Sequence, residues 1–155
     1  AMQAGRGRGA RTILNPAPVL AYPESLLASV DILIPNEHEA ALLSGLPTGS
    51  IEDADEVARS FMSRGVLYTI ITRGADGAIW RSADGNGHVP AYPVTAIDTV
   101  AAGDAFCGGL ACALAMDEPF SVALRWASAA GALATTRAGA VPSLPLRSAV
   151  EDLVR

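Results

Sequence analysis

Short apolar runs alternate along the chain with stretches whose apolar residues recur every three or four positions, and this change of period sets the expected architecture. "TIL" at 12–14 has β-type composition, and the prolines of "NPAP" behind it hold the chain extended. "PESLLASV" at 23–30 places a proline ahead of helically spaced apolar residues, and "DILIP" at 31–35 is again a short β-rich run. "NEHEAALLSG" predicts a helix over 36–45, capped by Asn36 and stopped by Gly45. A further helix is expected over 52–64, with Ala54, Val57, Ala58, Phe61 and Met62 as its inner stripe, before the almost continuously apolar strand "LYTIIT" at 67–72. "GAIWRS", the turn "ADGNG" and "HVPAY" read as antiparallel additions at one side of the sheet. Alanine-rich helical patterns follow from Asp104 to Met116, from Ser121 to Arg137 and from Leu146 to the end. The opening "AMQAGRGRGAR" reads as a helix end and glycine turn feeding the first strand. With no repeat, low-complexity tract or dividing linker, residues 1–155 are expected to form one α/β domain, a mostly parallel sheet between helices.

Composition narrows the function classes. A chain of 155 residues can bury roughly 68–70% of its unfolded surface, and half of these residues are hydrophobic, with 17% charged. Mean hydropathy is +0.31, which points to a folded apolar domain and away from disorder. The formal charge of −5 creates no field to draw in a polyanion, and Arg6, Arg8 and Arg11 are too few for an RNA-binding tail. No nucleic-acid partner is expected. No segment approaches the roughly 20 apolar residues of a membrane span, and no secretory-type apolar run opens the chain, so a cytoplasmic protein without a membrane partner is expected. Cys107 and Cys112 lie on different faces of one helix and read as packed free thiols. His38 and His88 lack a third ligand at regular spacing, which argues against zinc, and Trp80 and Trp126 read as packing residues.

Candidate chemistry lies in three loops at the carboxyl ends of strands, where sheets of this kind bind ligands. They are "PNEHE" after 32–34, "TRGADG" after 67–71, and "DTVAAGD" before the helix beginning near Asp104. In the last loop Ala101, Ala102 and Gly103 carry almost no side chain. A ligand can approach their N–H groups, which share the roughly +0.5 charge of a helix N-terminus, so this is an anion site. Asp104 would repel a phosphate but can accept the proton of a hydroxyl attacking one. Spacing alone also allows Asp104 to be a helix cap, and it favours Asn36 as another cap, Glu39 as an exposed helix charge and "RGADG" as a plain turn.

"DTVAAGDAF" at 98–106 resembles the second signature of the ribokinase family of carbohydrate and nucleoside kinases, the PfkB superfamily, which runs D-T-x-(G/A)-A-G-D. "ILNPAP" at 13–18, "PNEHEAALLSG" at 35–45, "ITRGADGAIW" at 71–80 and "TTRAGAVPSLP" at 135–145 fall in the order expected of the C-terminal half of a ribokinase. The resemblance implies a three-layer α/β/α, Rossmann-like sandwich and ATP-dependent phosphoryl transfer to a sugar hydroxyl, D-ribose to ribose 5-phosphate. It implies Asp104 as general base and Ala101, Ala102 and Gly103 as the anion hole for the γ-phosphoryl group. Asn36 and Glu39 match the pair that organises Mg²⁺ and its waters. Thr72, Arg73, Gly74, Asp76 and Gly77 match the nucleotide loop, and Ser128 a position near the adenine. A K⁺ ion is implied at Asp98, Val100, Ala134, Arg137, Gly139 and Ser143, with only Asp98 and Ser143 able to offer side chains.

Measured against the family pattern, the N-terminal half with its β lid and glycine-rich sugar-binding signature is missing. The expected consequences are an incomplete acceptor pocket, weak activity of this chain alone, and dimerisation or completion by the missing half. A contrasting expectation is a non-catalytic α/β binding or self-association module derived from such a kinase. The identity of the acceptor sugar is left open, because the family distinguishes acceptors mainly through the half not represented here.

Overall fold

The parallel part of the sheet is built from the shortest apolar runs. β1 (Ile13–Leu14) pairs in parallel with β2 (Ile32–Leu33), which pairs in parallel with β3 (Tyr68–Thr72). β3 is antiparallel to β4 (Ala78–Ser82), and β5 (Gly85–Val89) completes the order β1-β2-β3-β4-β5. The sheet is therefore mixed, parallel at its start and antiparallel where the sequence suggested added strands. The computed structural model describes residues 2–20 and 22–155. They fall into two compact units. One contains the chain up to Arg73 together with Ala78–His88, and the other Gly74–Gly77 together with Val89–Arg155.

In the first unit, α1 (Met2–Arg6) and a glycine turn precede β1, as expected. β1 connects to β2 through Glu24–Ser29, which is a 3₁₀ helix and not the α-helix suggested by spacing. Its bonds Leu26 N–H to Pro23 O (2.8 Å) and Val30 N–H to Leu27 O (3.0 Å) are of the tighter i to i+3 kind, which suits so short a connection. α2 (Glu37–Ser44) and α3 (Ile51–Ser63) form the crossover from β2 to β3. Gly45 ends α2 in the left-handed conformation (φ +71°), the reason glycine stops the helix there. Ile32, Leu33, Ile70 and Ile71 are all buried, so β2 and β3 are covered on both faces. Leu33 and Ile71 join Leu27, Val30, Val57, Ala58 and Phe61 in one apolar core. Met62, expected in that stripe, is only partly buried because it lies at the stripe's edge, about 80° round the helix from Ala54.

The expected turn "ADGNG" is shorter than its composition suggested. Only Ala83 and Asp84 turn, while Gly85, Asn86 and Gly87 belong to β5. The cause is Trp80: a Cβ on Gly87 would stand 3.0 Å from the indole Nε1, so the bare backbone makes room for the ring. Asp55 on α3 ties that helix to β4, accepting from Arg81 Nη2 at 2.8 Å and from Arg59 Nη2 at 2.6 Å.

The second unit is helical, with α4 (Ala102–Ala115), α5 (Phe120–Ala134), α6 (Ala140–Ser143) and α7 (Arg147–Val154). Small residues let α4 and α5 approach closely. A Cβ on Gly109 would lie 2.8 Å from Ala130 Cβ and 2.9 Å from the Trp126 carbonyl oxygen. Trp126 is buried, in keeping with a packing role. α5 stops at Ala134, short of the expected Arg137, because the Thr135 and Thr136 hydroxyls donate back to the Ala132 and Leu133 carbonyls at 2.7 Å each. Cys107 and Cys112 form no disulfide and are half-buried on α4. Among the described residues no helix is long and apolar enough to cross a membrane.

Two neighbouring glycines of α4 should respond oppositely to alanine. At Gly108 a Cβ meets nothing within 4 Å, so Gly108→Ala should stabilise by up to about 1 kcal/mol through helix propensity. Gly109→Ala should lose about 1–3 kcal/mol from overpacking; urea unfolding of both variants checks the pair. Asp55 supplies a pH test. Hydrogen bonds from Arg81 foremost, with Arg59, hold its carboxyl below the ordinary range despite the opposing effect of desolvation. That stability is present above the unfolded value of about 3.9 and is lost as pH falls through the lower folded value. The gap between wild type and Asp55→Asn in acid unfolding should therefore narrow below about pH 4, and a gap constant with pH would refute the ion-pair account.

Candidate functional site

In the first unit the carboxyl ends of β2 and β3 lie side by side. The Thr72 N–H donates to the Pro35 carbonyl at 3.0 Å, and Asn36 continues the parallel pairing opposite Thr72. α2 begins at this junction. Asn36 Oδ1 accepts from the Glu39 N–H at 2.9 Å, and Glu39 Oε2 accepts from the Asn36 N–H at 2.9 Å. The N-x-x-E pattern is thus a complete capping box, which satisfies two helix N-terminal donors reciprocally. Glu39 is buried, in contrast to the exposed helix charge that spacing alone allowed.

Capping leaves Glu39 its second carboxylate oxygen and Asn36 a second lone pair on its amide oxygen. Such a set is too small for a dedicated metal cage but fits an ion such as Mg²⁺, which keeps several waters and takes other ligands from phosphates. Among the described residues no cluster of three or more His, Cys, Asp or Glu could hold a metal, and His38 and His88 are exposed.

Arg73 follows directly on Thr72. Its Nη1 lies 3.1 Å from Glu37 Oε1, 3.1 Å from the Thr48 carbonyl oxygen and 3.3 Å from that of Ser50. Only 10% of the side chain is exposed. Glu37, at the first helical position of α2, carries no motif that marks it as the partner of Arg73.

The remaining candidates belong to the second unit. Gly74–Asp76 form a single 3₁₀ turn closed by the Gly77 N–H on the Gly74 carbonyl at 3.1 Å, with Asp76 exposed. Gly77 has φ +82°, and a Cβ there would stand 2.1 Å from the Val89 carbonyl oxygen, so no other residue fits. Ser128 is buried on α5 and its Oγ donates to the Pro90 carbonyl at 2.8 Å, tying the extended segment before α4 to that helix.

α4 starts at Ala102, earlier than the apolar pattern indicated, with Ala101 as its cap residue and no side-chain cap bond. Asp104 consequently lies within the first helical turn and is not the cap that spacing allowed. The Ala102 N–H donates to the Thr99 carbonyl at 3.1 Å, which narrows the anion-hole reading to the amides of Ala101 and Gly103. Gly103 is exposed, with nothing within 4 Å of a notional Cβ, so a ligand can reach its backbone. Asp104 is exposed as well, and no hydrogen bond or ion pair of the described residues engages its carboxylate.

Three of the K⁺ candidates meet directly. Asp98 Oδ1 accepts from the Val100 N–H at 3.0 Å and Oδ2 from the Gly139 N–H at 2.8 Å. These bonds, Gly139 foremost, hold the Asp98 carboxyl below its ordinary range. The Thr135 carbonyl accepts from Ile97 and Asp98 at 2.7 and 3.1 Å, a role no side-chain motif announces. Ala134 is the last residue of α5, where free carbonyls and the helix dipole place negative charge. Ser143 is buried and its Oγ donates to the Ala140 carbonyl at 2.8 Å, while Arg137 is exposed. An oxygen-rich set of this kind suits a weakly hydrated cation.

The family model for "pfkB family carbohydrate kinase" matches residues 1–147. A ribokinase of Staphylococcus aureus is 36% identical over 154 residues, which are 99% of this chain and 51% of that protein. The solved structure of Arabidopsis thaliana ribokinase with ribose and ATP superposes with a TM-score of 0.94 at 30% identity, covering 99% of this chain and 50% of that one. A fructokinase of Vibrio cholerae, solved with fructose, ADP and potassium ion, gives 0.83 at 26% identity, covering 100% and 54%. The chain spans about half the length of these relatives, and the α/β fold class expected from the sequence is the one the solved structures have.

Asn36 separates the two uses of its position. Asn36→Ala should cost about 1 kcal/mol of stability by removing the cap, whereas Asn36→Ser should keep most of it. Thermal unfolding of the two variants measures the cap alone, and equal losses would contradict the capping box.

Proposed function

Because the chain belongs to the pfkB family of carbohydrate kinases, we propose that it provides the nucleotide and phosphoryl-transfer part of an ATP-dependent sugar kinase, with D-ribose as acceptor and ribose 5-phosphate as product. The reading is carried by one observation: Asp104 stands exposed and unengaged in the first turn of α4, next to the open backbone of Gly103. A carboxylate there can accept the proton of the sugar hydroxymethyl group as its oxygen attacks the γ-phosphorus. The amides of Ala101 and Gly103, at the positive end of the helix, stabilise charge on the transferring group.

Asn36 and Glu39 would hold Mg²⁺ through its waters, and the ion would neutralise phosphate charge. Asp98 and Ser143, with the carbonyls of Val100, Ala134, Arg137 and Gly139, would hold K⁺ beside the loop that enters α4. Thr72, Gly74, Asp76 and Gly77 present the turn over which the nucleotide lies, and Ser128 fixes the neighbouring segment through Pro90. The ATP and ribose bound to the Arabidopsis relative, and the potassium ion of the Vibrio fructokinase, support these assignments by likeness.

A second reading, a binding or self-association module derived from such a kinase, is favoured by the exposure of Ile97, Val100, Val141 and Leu146. Ribose phosphorylation assayed with ATP, Mg²⁺ and K⁺ decides. Asp104→Asn should lower turnover by about 10²–10⁴-fold and leave ATP affinity by calorimetry unchanged. Turnover that survives the substitution removes Asp104 as the base. A wild-type chain with neither turnover nor ATP binding favours the second reading.

A further inference from the structure

Nine-tenths of the Arg73 side chain is removed from water, and a cation so placed persists only where its neighbours compensate the lost hydration. Those neighbours are the Glu37 carboxylate and the Thr48 and Ser50 carbonyls, gathered around a single nitrogen. They come from two separate pieces of chain. Glu37 is in the first turn of α2, next to the Asn36–Glu39 capping box, whereas Thr48 and Ser50 lie in the loop before α3, whose cap is Ser50 itself. The Thr48 hydroxyl closes the knot by donating to the Glu37 carbonyl at 3.1 Å. On its other side Arg73 is joined to Thr72, whose amide is held by Pro35. Residues 72 and 73 are thus tied to the Asn36–Glu39 turn twice, through the Thr72 amide on Pro35 and through the Arg73–Glu37 pair.

We infer that Arg73 is a positioning residue: through Glu37 and the 48–50 loop it holds the start of the nucleotide loop in register with the Asn36–Glu39 turn, and its guanidinium is not a phosphate ligand. This rests on the nucleotide reading above. It narrows the nucleotide-loop reading of Arg73 to its backbone, since three acceptors already surround its Nη1.

The two roles predict opposite results for Glu37→Gln. If Arg73 positions, loss of its carboxylate slackens the knot, and Mg²⁺–ATP should bind about tenfold more weakly, as for other outer-shell partners. If Arg73 touches phosphate, removing the competing carboxylate frees the guanidinium and binding tightens. Calorimetry with Mg²⁺–ATP on the wild-type chain, Glu37→Gln, Arg73→Met and the double variant is the test. The double variant should be no weaker than Arg73→Met alone. Arg81→Met, which breaks the pair with Asp55 in the same unit, controls for general loss of stability and should bind as wild type. Amide exchange without nucleotide should quicken in Arg73→Met at residues 48–50 and 72–74 ahead of the rest. Tighter or unchanged binding by Glu37→Gln, additive effects in the double variant, or uniformly faster exchange overturns the inference alone. Failure of the wild-type chain to bind Mg²⁺–ATP brings down the functional reading and this inference with it.

Discussion

The parallel pairing of β2 with β3, covered on both faces, is the constraint from which the arrangement of the first unit follows. Strands buried in this way cannot slip by one residue without turning Leu33 and Ile71 out of the core they share with Phe61, so their register is fixed. Fixed register fixes where the strands end. Pro35 and Thr72 meet there, and the residues that leave the sheet at that level, Asn36 and Arg73, emerge side by side. Chemistry placed on those exits inherits the rigidity of the ladder beneath it.

In the function proposed above, stability and chemistry draw on the same residues at α2. The capping box orders Asn36 and Glu39 before any ligand arrives, so in the Mg²⁺ role proposed for them the pair would lose less freedom on binding. In the second unit Asp98 plays a comparable part, its two oxygens joining the residue after next and the distant Gly139.

Much of this was legible in the chain. Asn36 and Gly45 delimit α2 because capping chemistry is local, and the alternation of strand and helix up to residue 72 follows from period alone. "DTVAAGDAF" carried the resemblance to the family whose model matches residues 1–147. What escaped notice is non-local. Gly85 and Gly87 look like turn residues until Trp80 is seen lying against them, and nothing in "RGADG" reveals that Arg73 faces Glu37 across an intervening helix and loop. Thr135 contributes a carbonyl, which every residue has, so no side-chain pattern could single it out.

Gly77 closes on Val89 so tightly that the chain returns from β4 and β5 to within an atom's width of where it departed. The hairpin between them is thus an excursion with both feet anchored. Extra residues added at its tip, Ala83–Asp84, would lengthen a loop whose closure is already secured, and that penalty grows only by about 0.6 kcal/mol per doubling. The tip is accordingly where this fold can accept a graft, a tag or a lineage-specific insertion while its anchors stay put.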